Sequence, residues 1–82
     1  MTYEIIPTND FIRDFKKLDS HFQKKIKKKF DEVAIDPKRY KHMSPPWNNY
    51  CRIRIEKLRV IFRYDVETKK LYLNKIVFKH KY

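Results

Sequence analysis

The sequence predicts an α+β fold: an antiparallel sheet with an N-terminal αα-hairpin packed on one face, in the order β-α-α-β-β-β. Three observations predict it. Apolar residues recur at helical spacing from Phe11 to Val33. From Tyr50 onward they alternate with polar ones, as in strands with one buried face. A stretch rich in Pro and Asn separates these two halves. With 82 residues, the chain reads as one domain spanning 1–82, with a modest core.

The elements follow in order. Thr2 to Ile6 is a short β-prone run ended by Pro7, suited to an edge or first strand. Thr8, Asn9 and Asp10 offer N-cap oxygens. Phe11, Phe15 and Leu18 then mark an amphipathic helix of about three turns. Asp19-Ser20 breaks it, and Ser20 with Gln23 forms the pattern of a capping box. The second helix carries Phe22, Ile26, Phe30 and Val33 on one stripe, with Lys24, Lys25, Lys27, Lys28 and Lys29 around the rest. Asp36-Pro37 is expected to end it. Lys38 to Asn49 is an ordered loop, in which Trp47 is expected to pack over the helices, with binding of a base as the alternative. Two β runs follow, Tyr50 to Ile55 and Leu58 to Tyr64, then a turn from Asp65 to Lys69 and a last strand from Leu71 to Phe78. Leu71 and Leu73 share one face of that strand, Ile76 and Phe78 the other. A bulge near Asn74-Lys75 reconciles them, and then Lys79 shares the exposed face with Arg59. Glycine is absent, so turns must use Asn, Asp, Ser, Pro or Lys.

The charge pattern is more informative than the fold. Cys51, Ile53 and Ile55 alternate with Tyr50, Arg52 and Arg54, and Leu58, Val60 and Phe62 alternate with Arg59, Ile61 and Arg63. One sheet face is therefore apolar, and the other carries four arginines. The nearby acids Glu56, Asp65 and Glu67 all fall near turns. Net charge is +11, which favours a polyanionic partner. Nucleic acid comes first, an acidic protein second and an anionic membrane third. The N-terminus has neither the basic n-region nor the apolar h-region of a signal peptide, and no run reaches membrane-spanning length. One cysteine, Cys51, permits no internal disulfide and fits a reducing, cytoplasmic setting. Cys51 is expected in the core, and His21 and His42 on the surface or in the loop. No His/Asp/Glu set has metal-ligand spacing, so no metal and no cofactor is expected.

Tyr50-x-Arg52-Ile53-Arg54-Ile55, a turn, and Leu58-Arg59-Val60-Ile61-Phe62 resemble the central motif of the RelE/ParE toxin superfamily. The element order resembles that family as well, so the likeness covers nearly the whole chain. It implies the toxin of a type II toxin–antitoxin pair, specifically a RelE-type endoribonuclease that cleaves messenger RNA on the ribosome. The substrate's own 2′-hydroxyl is then the nucleophile, with no metal. By motif position Arg52 and Arg54 orient the RNA, and Arg59 supports the transition state. The likeness further assigns Lys79, His80 and Tyr82 to the catalytic tail; Arg63, on the same face by alternation, and Tyr50, as an aromatic that can stack on a base, are expected to bind RNA beside them. It also implies an acidic antitoxin as protein partner. Departures are Glu56-Lys57 where the family often has a glycine, and a tail, Phe78-Lys79-His80-Lys81-Tyr82, shifted by a residue or two.

That chemistry suits the residues. Cleavage needs a base, an acid and cations to offset charge on a phosphorane-like transition state. Arginine grips phosphate with two parallel N–H donors and stays charged. Histidine titrates nearest neutral pH. Tyrosine or lysine can serve once neighbouring cations lower its pKa. Two other functions fit the same pattern. One is a ParE-like, non-enzymatic binder of DNA gyrase. The other is a basic RNA-binding homologue without catalysis. The lysine run of the second helix reads as a solvated face, or as a salt-sensitive contact to ribosomal RNA.

Overall fold

The computed structural model describes residues 2–78. Its elements are β1 (Glu4–Pro7), α1 (Asn9–Lys16), α2 (Ser20–Val33), a 3-10 turn (Pro37–Arg39), β2 (Cys51–Ile55), β3 (Leu58–Asp65) and β4 (Lys70–Phe78). This is the expected α+β order, with β1 on the edge as expected. The sheet runs β1-β4-β3-β2. β2, β3 and β4 are antiparallel neighbours, but β1 pairs with β4 in parallel, so the sheet is mixed. Alternation shows which face of a strand is buried but carries no sign of its direction. That is why a wholly antiparallel sheet was the simpler expectation.

The helices cover the apolar face. Phe30 of α2 meets Phe62 of β3 edge to face, with ring centroids 5.4 Å apart, and both are fully buried. Such pairs add about 0.5–1.5 kcal/mol beyond their burial. Ile26, Val33, Leu58, Val60 and Leu71 close the core around them. Cys51 is in this core, and burial pushes its thiol up to about 11, so it is an inert packing residue.

Local chemistry sets the element ends. Thr8 caps α1, its hydroxyl oxygen accepting from the Phe11 N–H. The helix runs 8 residues, shorter than its apolar spacing suggests. The capping box at Ser20 does not form. Asp19 is the N-cap of α2 and accepts from the Phe22 N–H. Gln23 instead donates to the carbonyls of Phe15 and Leu18, tying α2 to the end of α1. At the other end α2 stops at Val33, ahead of Asp36-Pro37. The Ala34 carbonyl there accepts from the Tyr3 N–H at 2.8 Å, joining the helix to the approach to β1.

The anticipated bulge is present in β4. Ile61 pairs with Lys75 and Phe62 with Leu73, so Asn74 has no opposite residue. α1 supports this irregular backbone. The Thr8 hydroxyl lies 2.9 Å from the Leu73 carbonyl and 3.1 Å from that of Asn74. The Asp14 carboxylate accepts from the Ile76 N–H at 3.3 Å. The extra residue lets Leu71, Leu73 and Ile76 all face the core.

Deleting Asn74 should therefore turn one half of β4 inside out. Each Leu or Ile lost from the core costs about 1.5–3 kcal/mol, against a total of about 5–15 kcal/mol for a typical domain. Circular-dichroism melts should show the deletion variant without a cooperative transition, while Asn74→Ala, which keeps the residue count, melts cooperatively. An unchanged melt for the deletion would contradict this account of the register.

Candidate functional site

The outer sheet face is a grid of cross-strand rows. Arg54 of β2 lies opposite Arg59 of β3, which lies opposite Val77 of β4. The next row is Arg52, Ile61 and Lys75. In the third, Arg63 lies opposite Tyr72. The structure thus brings Arg52, Arg54, Arg59 and Arg63 onto one face, around the apolar side chain of Ile61. Lys75 is a fifth cation that the sequence left unplaced, because its phase depends on the bulge. Lys79, His80 and Tyr82 lie outside the described residues, and β4 reaches Phe78 opposite Leu58, the neighbour of Arg59.

Among the described residues, no acid pairs with the arginines of this face. The ion pairs among the described residues are Asp10–Arg13, His21–Glu56, Lys25–Glu56 and Glu32–Lys29, and none involves the four arginines. Arg54 and Arg59 are like charges directly across an antiparallel pair, an arrangement that destabilises a sheet. Arg52, Arg54 and Arg63 are exposed, and Arg59 is half-buried. The Arg63 guanidinium is stacked over the Tyr72 ring, 4.2 Å from its centroid. That holds it against the sheet at a gain of about 0.5–1 kcal/mol.

Two grooves flank the grid and share Tyr50. The first, about 560 Å³, lies between the loop before β2 and the start of α1, and Ile61, Asn74 and Lys75 line its sheet side. Trp47, Tyr50 and Met43 form its loop side. Trp47 is 59% exposed there and does not pack over the helices. The loop closes on itself instead. Met43 N–H donates to the Tyr50 carbonyl at 2.8 Å, Trp47 N–H to Ser44 at 2.9 Å, and Tyr50 N–H to Trp47 at 3.0 Å. This ring swings Trp47 to the sheet's outer side, a consequence of loop hydrogen bonding that residue spacing does not reveal.

The second groove, about 600 Å³, is lined by His42, Asn48, Asn49, Tyr50, Arg63, Tyr64, Asp65 and Val66. His42 has a structural part in it. Its Nδ1 lies 2.9 Å from the Asn48 carbonyl, which can only accept, so Nδ1 carries the proton. Its Nε2 lies 3.2 Å from the Tyr64 hydroxyl. Burial raises the Tyr64 pKa, so the hydroxyl keeps its proton. Among the described residues, no three His, Cys, Asp or Glu side chains form a metal-ligand cluster, and no helix is long and apolar enough to cross a membrane.

The hairpin turn has Glu56 at φ 53°, a left-handed position that was not expected of glutamate. Lys69, also left-handed at φ 57°, fits the expectation of lysine in turns. The Glu56 carboxylate reaches α2, 2.8 Å from Lys25 Nζ and 3.2 Å from His21 Nε2.

This architecture recurs in solved toxins. A RelBE toxin–antitoxin complex from Mycobacterium tuberculosis matches with a TM-score of 0.86 at 18% identity, covering 95% of this chain and 99% of the other. Isolated RelE toxin from E. coli matches at 0.83 and 18%, covering 98% and 87%. A YoeB/ParE toxin from Agrobacterium tumefaciens matches at 0.79 and 14%, covering 94% and 99%. Among curated protein sequences, none matches significantly. The fold is therefore that of RelE-like toxins. The family model described as ParE toxin of type II toxin–antitoxin system matches residues 5–74, and the chain belongs to that family, within the RelE/ParE superfamily.

The Glu56 pair gives a pH prediction. The hydrogen bond from Lys25, and then its charge and that of His21, hold the carboxyl below its ordinary value. Its folded pKa is thus below the unfolded value of about 4.3. The stabilisation is complete above that value and is lost as pH falls through the depressed folded pKa. Urea midpoints should fall more between pH 7 and pH 3 for the wild type than for Glu56→Gln. Identical pH dependence in both would remove the coupling.

Proposed function

We propose that this toxin is a ribosome-dependent endoribonuclease, cleaving messenger RNA through the substrate's 2′-hydroxyl without a metal. One observation carries the reading: four arginines without ion-pair partners among the described residues share a single sheet face, two of them directly opposed. A polyanionic backbone relieves that repulsion, and phosphate suits the guanidinium fork.

The scissile phosphate sits over Arg59, with Arg52 and Arg54 orienting the strand and Arg63 and Tyr50 holding the nucleotide beyond. The 2′-oxygen bonds to phosphorus as the bond to the 5′-oxygen breaks. This leaves a 2′,3′-cyclic phosphate and a 5′-hydroxyl. Negative charge grows on the phosphoryl oxygens, and Arg59 offsets it. Lys79, His80 and Tyr82 are the proposed acid–base groups, on the strength of the family resemblance. One takes the 2′-proton and another returns a proton to the leaving oxygen.

The protein partner proposed is an acidic antitoxin. RelE-like relatives are seen bound to RelB antitoxins. The basic surface and exposed sheet edges here suit a segment that adds a strand or lays a helix over the arginines. A second reading, a ParE-like binder of gyrase, draws support from the family description itself. It makes the arginine face dispensable for toxicity.

A translation reaction on one defined messenger, with breaks mapped by primer extension, separates these readings. Wild type should cut only with ribosomes present. Arg59→Ala should cut at least about 100-fold more slowly, with stability within about 0.5 kcal/mol of wild type. A folded Arg59→Ala protein that still cuts would defeat this mechanism. No cutting by wild type, with inhibition of gyrase supercoiling, would establish the second reading.

A further inference from the structure

The groove beside the arginine face shares only Tyr50 with that mechanism, and it opens directly onto the arginines. Ile61 lies both at the centre of the basic grid and on the wall of the groove. Lys75, across from Ile61, is shared in the same way. A chain of phosphates following Arg59, Arg52 and Lys75 therefore passes the groove mouth. What lies inside is aromatic and flat-sided: Trp47 and Tyr50, beside Met43 and Ile61. Trp47 is the sole tryptophan of the chain. The closed hydrogen bonding of its loop holds it at the surface while it remains 59% exposed.

We infer that this groove receives one unstacked nucleobase of the single-stranded RNA, with Trp47 as its stacking partner. The inference rests on the nuclease reading for the identity of the strand. Its chemistry is that of single-stranded recognition in general: cations track the backbone, and an aromatic ring takes the base. An acidic peptide would meet the cations but has no flat heterocycle for the tryptophan. The groove then selects which nucleotide adjoins the scissile bond, making Trp47 a specificity determinant rather than a catalytic residue.

The lone tryptophan makes the test direct. The probe is a six-nucleotide RNA, 2′-O-methylated throughout so that it cannot be cleaved, titrated into the full-length protein at low salt. Trp47 emission should be quenched on binding, while an abasic strand of equal charge leaves it unchanged. By anisotropy of a labelled probe, Trp47→Ala should bind about tenfold more weakly and Trp47→Phe within about threefold of wild type. A melt by circular dichroism should place both variants with wild type. Binding with unchanged emission, equal affinity for Trp47→Ala, or no binding of the probe each overturns the inference. The ribosomal cleavage assay keeps the two readings apart. If Trp47→Ala cuts at wild-type sites and rate, the base groove is overturned and the nuclease reading stands. If wild type cuts nothing, the nuclease reading falls, while the titration still decides the groove.

Discussion

The constraint on which the rest of the structure depends is the unopposed residue in β4. Without an extra residue at Asn74, a strand of strict period two would bury either the Leu71/Leu73 half or Ile76, never both. With it, both halves serve one core and every position on the other side is freed for charge. The bulge is irregular backbone, so its polar groups need partners. Thr8 and Asp14 supply them from α1. The helix that covers the sheet therefore also fixes its register. The register in turn places Lys75 beside Ile61 and Asn74 on the groove wall.

The two faces of the sheet contribute to different ends. Nearly all the favourable energy is on the inner face, in the contact of Phe30 with Phe62 and the aliphatic shell around them. The outer face gains little from its charges, since Arg54 and Arg59 repel across the strands and, among the described residues, only Arg63 has a stabilising partner, Tyr72. A small domain can hold such a face only because its core is independent of it. The same separation makes arginine substitutions informative, because loss of function there need not follow from loss of fold.

Much of this was legible in the sequence, and the failures have physical reasons. Period-two alternation gave the faces of β2 and β3, and the phase conflict between Leu73 and Ile76 gave the bulge. Strand direction was not legible: β1 joins β4 in parallel through hydrogen bonds such as Glu4 N–H to the Lys69 carbonyl, which no side-chain pattern encodes. The cap of α2 was misassigned by one residue because Asp19 and Ser20 are both good caps. Gln23, the partner that seemed to favour Ser20, is used elsewhere. Of the site, the arginine grid was readable, since it depends only on alternation. The aromatic groove was not, since Trp47 reaches the outer side through a loop whose course is set by its own backbone hydrogen bonds.

The glycine-free hairpin turn shows how local strain can be offset at a distance. A non-glycine residue in the left-handed region costs about 1–2 kcal/mol, and Glu56 adopts it at the tip of the β2–β3 hairpin. A glycine would avoid that cost but would lack a side chain. The carboxylate of Glu56 instead reaches Lys25 and His21 on α2, across the inner side of the sheet. It thereby fastens the hairpin tip to the helix layer and draws a negative charge away from the outer face, where it would neutralise Arg54 or Arg59. An acid on that face would calm the repulsion within the protein and weaken its hold on a phosphate. Pairing Glu56 with Lys25 and His21 leaves both arginines available to an anionic partner.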